Sequence, residues 1–149
     1  MENKEIQLTL CRADCSSALE LPYADGGIKA GSPSPAQDYL TNSIDLNKEL
    51  VHHAESTFYA RVDGHSLMDA GIDDGDLVVI DKSLDAKNGD YVAAFIDGEF
   101  TLKRFEIDEP RHCAWLVPAN KDFKPIKVTE DNNFQVWGVI TYCIKKFRG

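Results

Sequence analysis

The chain has 149 residues, 43% of them hydrophobic, with 16 basic against 25 acidic side chains and a net charge of −9. That length suits one ordinary domain with a real core and an appended arm, and no apolar run approaches the length that crosses a bilayer. The acidity argues against a free-standing duplex-DNA binder, which needs a basic face to neutralise phosphates; it favours a protein partner and also serves solubility.

The N-terminal stretch "MENKEIQLTLCRADC" has no basic head followed by an apolar segment. No secretory signal is therefore expected, and the chain reads as cytoplasmic with no membrane partner. The four cysteines are Cys11, Cys15, Cys113 and Cys143, with no C-x-x-C spacing and with His52 and His53 far from them in sequence. Reduced thiols are expected rather than a four-ligand zinc site, and no metal or other cofactor is implied.

The first 30 residues show no sustained apolar period, and "ADGGIKAGSPSP" from Ala24 to Pro35 is punctuated by glycine and proline. Residues 1–33 read as a loosely attached arm with one short strand at Ile6–Leu10, and residues 34–149 as the folded domain. Ser34-Pro35-Ala36-Gln37 is a helix start, with a capping serine, proline at the first helical position and glutamine completing a capping box. That helix is expected to run to about Asn42, and Asp45 is expected to cap a second short helix through about Val51.

From Thr57 the hydrophobic period switches to two and the composition turns to Val, Ile, Phe, Tyr and Thr. Strands are expected at Phe58–Val62, Leu77–Asp81, Tyr91–Ile96, Glu99–Ile107, Cys113–Pro118 and Phe134–Phe147, the last bent or broken. "IDGEF" predicts a hairpin whose two-residue loop is Asp97-Gly98. The fold class is therefore mostly β, with short N-terminal helices ahead of the strands.

Two residues in this pattern could carry chemistry. Ser66 lies in "GHSLMDAGIDDGD", a dense cluster of turn residues between two expected strands. It is either a plain turn residue or a nucleophile, and a serine hydroxyl becomes a nucleophile only when a base takes its proton. The histidines are His52, His53, His65 and His112. His65 adjoins Ser66 and along a strand would point the other way, so a Ser-His-Asp triad has no specific support. A neutral lysine is the other base. Lowering a lysine from its ordinary value of about 10.4 to about 7 takes roughly 4–5 kcal/mol against the ammonium, which only apolar surroundings supply. The hairpin offers one candidate. With Asp97-Gly98 as the loop, Ile96 faces Glu99, Ala94 faces Thr101 and Val92 faces Lys103, so Lys103 lies beside apolar cross-strand partners. A strand lysine taken alone is more often a solvated face residue.

Taken together, "VDGHSLMDAGIDDGDLVVID", "DGEFTLKRF" and "AGSPSPAQDYL" with "IDLNKEL" resemble the serine, lysine and cleavage-proximal segments of the LexA/UmuD family of self-cleaving serine–lysine peptidases, of S24 type. The resemblance runs from about Ala30 to the C-terminus, with its last segment closest to the UmuD branch. It implies the C-terminal-domain fold of that family, a β-barrel or sandwich. It implies Ser66 as nucleophile, Lys103 as general base and the Ala30–Gly31 bond as the one the protein cuts in itself. The backbone N–H groups of His65 and Ser66 would form the oxyanion hole. It also implies a homodimer, activation by the RecA filament on single-stranded DNA, and a trimmed form that serves a Y-family translesion polymerase of the UmuC type in SOS mutagenesis. Leu67 stands where a methionine is usual, His65 is unusual at its place, and the Ala-Gly pair is that of LexA rather than the Cys-Gly of UmuD.

The small pair Ala30-Gly31 would let the arm lie extended in a narrow cleft, while the flanking glycines and prolines let it fold back. A plain linker has the same composition. Other readings compete. A non-cleaving dimeric adaptor of the same fold would have no use for the serine. A repressor of the LexA or phage type needs a DNA-reading domain ahead of the cut, and the first 30 residues, with three basic and five acidic side chains, do not supply one. Direct sequence-specific DNA binding is therefore not expected. A type I signal peptidase shares the serine–lysine logic but needs a membrane anchor.

Overall fold

A computed structural model describes residues 7–23, 42–65, 67–96, 98–118, 122, 124–128 and 134–148. The strands are β1 (Gln7–Arg12), β2 (Glu20–Tyr23), β3 (Asn42–Asp45), β4 (Thr57–Asp63), β5 (Leu77–Asp81), β6 (Tyr91–Ile96), β7 (Glu99–Asp108), β8 (Cys113–Val117), β9 (Ile126–Lys127) and β10 (Phe134–Ile144), with one short helix, α1 (Leu46–Leu50). The six strands expected from the period-two pattern are β4 to β8 and β10, and the bounds of β5 and β6 are those expected. The bend expected in the last strand is present as two register shifts, between Val136 and Gly138 and between Ile140 and Tyr142. At the first of them β5 lies so close that a Cβ on Gly138 would sit 2.6 Å from the Ile80 side chain at Cγ2.

Eight strands form one antiparallel sheet in the order β1-β4-β5-β10-β6-β7-β8-β9, and β2 pairs with β3 apart from it. The large sheet curls, because β1 at its edge also comes within contact distance of β7. Curling buries both faces of the central strands. On β6, Ala93 packs with Ala60, Val62, Leu67, Ile72, Val78, Ile80 and Leu102, whereas Val92 and Ala94 pack with Leu116 and Val139 on the opposite face. A strand buried on both faces reads as a continuous apolar run rather than an alternation, which is why "YVAAFI" lacks polar positions.

The N-terminal segment carries more regular structure than a loose arm with one strand. The strand expected at Ile6–Leu10 is β1, displaced toward Arg12 and paired along its length with β4, from Gln7 opposite Asp63 to Arg12 opposite Phe58. A second strand, β2, pairs with β3 from Glu20 opposite Asp45 to Tyr23 opposite Asn42. The helix start at Ser34 to Gln37 lies outside the described residues, and Asn42, expected as the end of that helix, opens β3 instead. Asp45 caps α1 as expected. Its side chain accepts from the Asn47 N–H at 3.0 Å, and the helix closes where the Val51 N–H donates to the Asn47 carbonyl.

Candidate active site

β4 delivers the chain into the serine turn and β5 takes it away. Between them Gly64 adopts φ 128°, a conformation that side-chain-bearing residues rarely hold. Its N–H donates to Asp74 Oδ1 at 3.0 Å, tying the start of the turn to its far side. The Val62 N–H donates to the Asp76 carbonyl, and the Gly75 N–H donates back to the Val62 carbonyl, each at 2.8 Å. A single 3-10 turn, Met68–Ala70, follows, and the N–H groups of Ala70 and Ile72 both converge on the Leu67 carbonyl. Ser66 lies outside the described residues, but both neighbours are described: His65 is half-buried, and Leu67 is wholly buried in the core cluster with Val62, Val78, Ala93 and Leu102. The residue after the serine is thus locked into the core, while the residue before it closes the 3-10 turn by accepting from the Met68 N–H.

The β6–β7 hairpin has the register read from its sequence. Val92 pairs with Lys103, Ala94 with Thr101 and Ile96 with Glu99. Asp97 lies outside the described residues, and Gly98 holds φ 88°, as the second position of a type I′ loop requires. Lys103 is 2% exposed, the largest of the fully buried side chains, on the face that carries Val92, Ala94 and Thr101. The reading of Lys103 as a solvated face residue is therefore wrong. Lys103 is thus withdrawn from water, with Val92 opposite it on the neighbouring strand. The Ala30–Gly31 bond lies outside the described residues, between the paired ends of β2 and β3 at Tyr23 and Asn42.

Two polar clusters escaped the sequence reading. In the first, Lys145, just beyond β10, places its Nζ 2.9 Å from Asp73 Oδ2 and 2.5 Å from Asp76 Oδ2. Cys143 Sγ donates to Asp76 Oδ2 at 3.3 Å, and the Asp73 N–H reaches the same oxygen at 2.8 Å. Burial alone would raise the Asp76 carboxyl; the bonds from the Asp73 N–H, Lys145 and Cys143 outweigh it and hold the group below the usual carboxylate range. Burial and then Asp76 push the Cys143 thiol up to about 11, so it is no thiolate near neutrality. This cluster ties the end of the chain to the far limb of the serine turn. No local pattern announces it, since Lys145 and Asp73 are 72 residues apart.

The second cluster surrounds Asp81 at the end of β5. His53 Nδ1 lies 2.7 Å from Asp81 Oδ2, and the Ser83 hydroxyl and N–H both donate to Asp81 Oδ1. The residue types are those of a Ser-His-Asp triad, but here serine and histidine both bond the carboxylate, whereas a triad needs histidine between the other two. The cluster is a structural tie. Burial would raise the Asp81 carboxyl, and the bonds from Ser83 and His53 bring it below its usual value. The four cysteines are free thiols.

The sequence profile of the family described as "Peptidase S24-like" matches residues 22–141. The protein MucA of Salmonella typhimurium is 42% identical over 125 residues, covering 83% of this chain and 84% of its own length. The protein ImpA of Shigella flexneri is 38% identical over 120 residues, covering 80% of each chain. The LexA repressor of Clostridium novyi is 35% identical over 122 residues, which is 82% of this chain but 58% of the repressor.

Proposed function

The chain belongs to the peptidase S24-like family as a UmuD-type member, and from that premise we propose that it is a self-cleaving serine–lysine peptidase acting in SOS mutagenesis. Lys103, as general base, takes the proton of Ser66 Oγ. The oxygen attacks the carbonyl carbon of Ala30, and the N–H groups of His65 and Ser66 receive the developing oxyanion. The bond to Gly31 breaks as the protonated Lys103 returns its proton to the departing amine. Water then hydrolyses the ester joining Ala30 to Ser66, leaving two chains.

The observation that carries this reading is the burial of Lys103 at 2% exposure, in a hairpin register that sets it opposite Val92. It is supported by a family match that spans Ala30, Gly31, Ser66 and Lys103 together. An intramolecular substrate starts at high effective concentration, so slow cleavage reflects a sparsely populated competent pose. That population is where the RecA filament on single-stranded DNA acts. The trimmed protein is a homodimer, serving as accessory subunit of a UmuC-type Y-family polymerase.

The test is intact mass after incubation from pH 7 to 10, beside Ser66→Ala and Lys103→Ala. A split between Ala30 and Gly31 that speeds up with pH and vanishes in both variants is expected. Cleavage by Lys103→Ala at the wild-type rate overturns the mechanism. If the protein stays whole alone and with RecA, single-stranded DNA and nucleotide, a non-cleaving adaptor replaces this reading.

A further inference from the structure

The residues upstream of the proposed cut are built into the sheet that carries the site. β1 covers the outer edge of β4 over six residue pairs. The Ala13 N–H donates to the Thr57 carbonyl at 3.0 Å, whereas Val62 turns both its backbone groups toward the Gly75–Asp76 side. Strand backbone alternates in direction, so Thr57, Tyr59, Arg61 and Asp63 are the β4 residues that bond toward β1, and Cys11, Thr9 and Gln7 are their partners. Side chains add to this ladder. Leu10 packs on the core cluster, Ala13 is buried, and the Arg12 guanidinium lies 5.7 Å from the centre of the Phe58 ring. Further along, the Ser17 carbonyl accepts from Asn47 Nδ2 at 2.8 Å, and β2 pairs with β3. Every one of these contacts joins a residue before Ala30 to a residue after Gly31.

We infer that the edge of β4 is a strand-accepting surface whose occupant is the chain's own N-terminal segment, and that this occupant stays in place when the Ala30–Gly31 bond is cut. The inference rests on the cleavage proposed above. Cutting breaks one peptide bond and none of the contacts of residues 7–23. The immediate product is therefore a nicked complex, and departure of the 30-residue fragment is a second, slower event. Only that event frees the Thr57 carbonyl and the β1-facing backbone groups of Tyr59, Arg61 and Asp63. Such a bare edge accepts another extended segment. It also lies on the strand that leads into the serine turn. Trimming and uncovering are thus separable, and the second is governed by dissociation, not by peptide chemistry.

The experiment compares one cleaved sample under two conditions. Denaturing mass spectrometry reports the cut; native mass spectrometry and size exclusion report whether the two pieces travel together. A parallel chain carries the recognition sequence of a site-specific protease between Gly26 and Gly27, so that absence of self-cleavage defeats the proposed function without touching this inference. The expected result is a cut chain that keeps its full native mass. The amides of Thr9, Cys11 and Ala13 should remain as protected from hydrogen exchange as in the uncut protein. The double variant Thr9→Pro with Cys11→Pro removes two of the ladder donors, and its fragment should leave at least 10-fold faster after cutting. A fragment that separates from wild-type protein as fast as the bond is cut overturns the inference, as does loss of that amide protection on cutting. If the proline variant does not fold, the hydrogen-exchange comparison on wild-type protein decides alone.

Discussion

Leu67→Ala tests whether core packing holds the proposed nucleophile. Leu67 is wholly buried, packed with Val62, Ile72, Val78, Ala93 and Leu102, and it directly follows Ser66. The substitution removes three carbons, about 2.4 kcal/mol of transfer free energy at roughly 0.8 kcal/mol per methylene. The cavity left behind adds to this, and buried Leu→Ala changes cost about 2–5 kcal/mol in all. A loss of about 3 kcal/mol is expected, measured from the denaturation midpoint in urea with unchanged slope. A domain of ordinary stability, about 5–15 kcal/mol, survives that. Self-cleavage is then measured where the variant is fully folded. Because the Leu67 carbonyl also anchors the Ala70 and Ile72 N–H groups, loss of the side chain should loosen the turn and slow cleavage at least 10-fold. Leu67→Met keeps the volume, should cost less than about 1.5 kcal/mol and should cleave near the wild-type rate. A Leu67→Ala protein that cleaves at the wild-type rate while losing about 3 kcal/mol would refute the claim that burial of this residue positions Ser66.

Lys103→Met keeps most of the side-chain volume and removes the amine; cleavage should vanish while the protein still folds with a cooperative thermal melt. A drop of many degrees would make Lys103 a structural residue. Gly138→Ala drives a Cβ to 2.6 Å from Ile80 Cγ2 and 3.3 Å from the Asp81 carbonyl oxygen, and overpacking of this kind costs about 1–3 kcal/mol in denaturant titration. Asp81 has a folded-state value below its ordinary one, so its contribution is present above the ordinary carboxylate range and is lost as pH falls through the lowered value. Wild-type stability should therefore fall below about pH 4, and Asp81→Asn should be less stable at pH 7 and show a shallower acid loss in thermal melts recorded from pH 2 to 7.

The strands of the large sheet were legible because their side chains alternate or run apolar at the right length, and "DG" fixed the β6–β7 register to the residue. That register alone sets Lys103 beside apolar cross-strand partners. Its burial was not legible. It depends on the sheet curling so that β6 and β7 are covered on both faces, and no window of sequence contains that information. The N-terminal strands were under-read for a related reason. β1 is an edge strand whose partner, β4, lies some fifty residues away, and "ELPY" in β2 contains a proline that demotes it in any local reading. Asp45 shows the opposite case: a cap acts within two residues, and α1 begins where the aspartate says it should.

β6 also explains how the core takes in a lysine. Four-carbon stems need length along the sheet surface, and the cross-strand neighbours here are Val92 and Ala94, with Ala93 on the other face. Small residues on β6 leave room beside Lys103 that larger ones would fill. The hydrocarbon stem then serves as core packing, and the amine rides at its end. The serine turn is held independently, by Leu67 in the opposite cluster and by Lys145 gripping Asp73 and Asp76. Lys103 is thus set by a strand of the sheet, and the described residues on either side of Ser66 are held by a separate set of contacts.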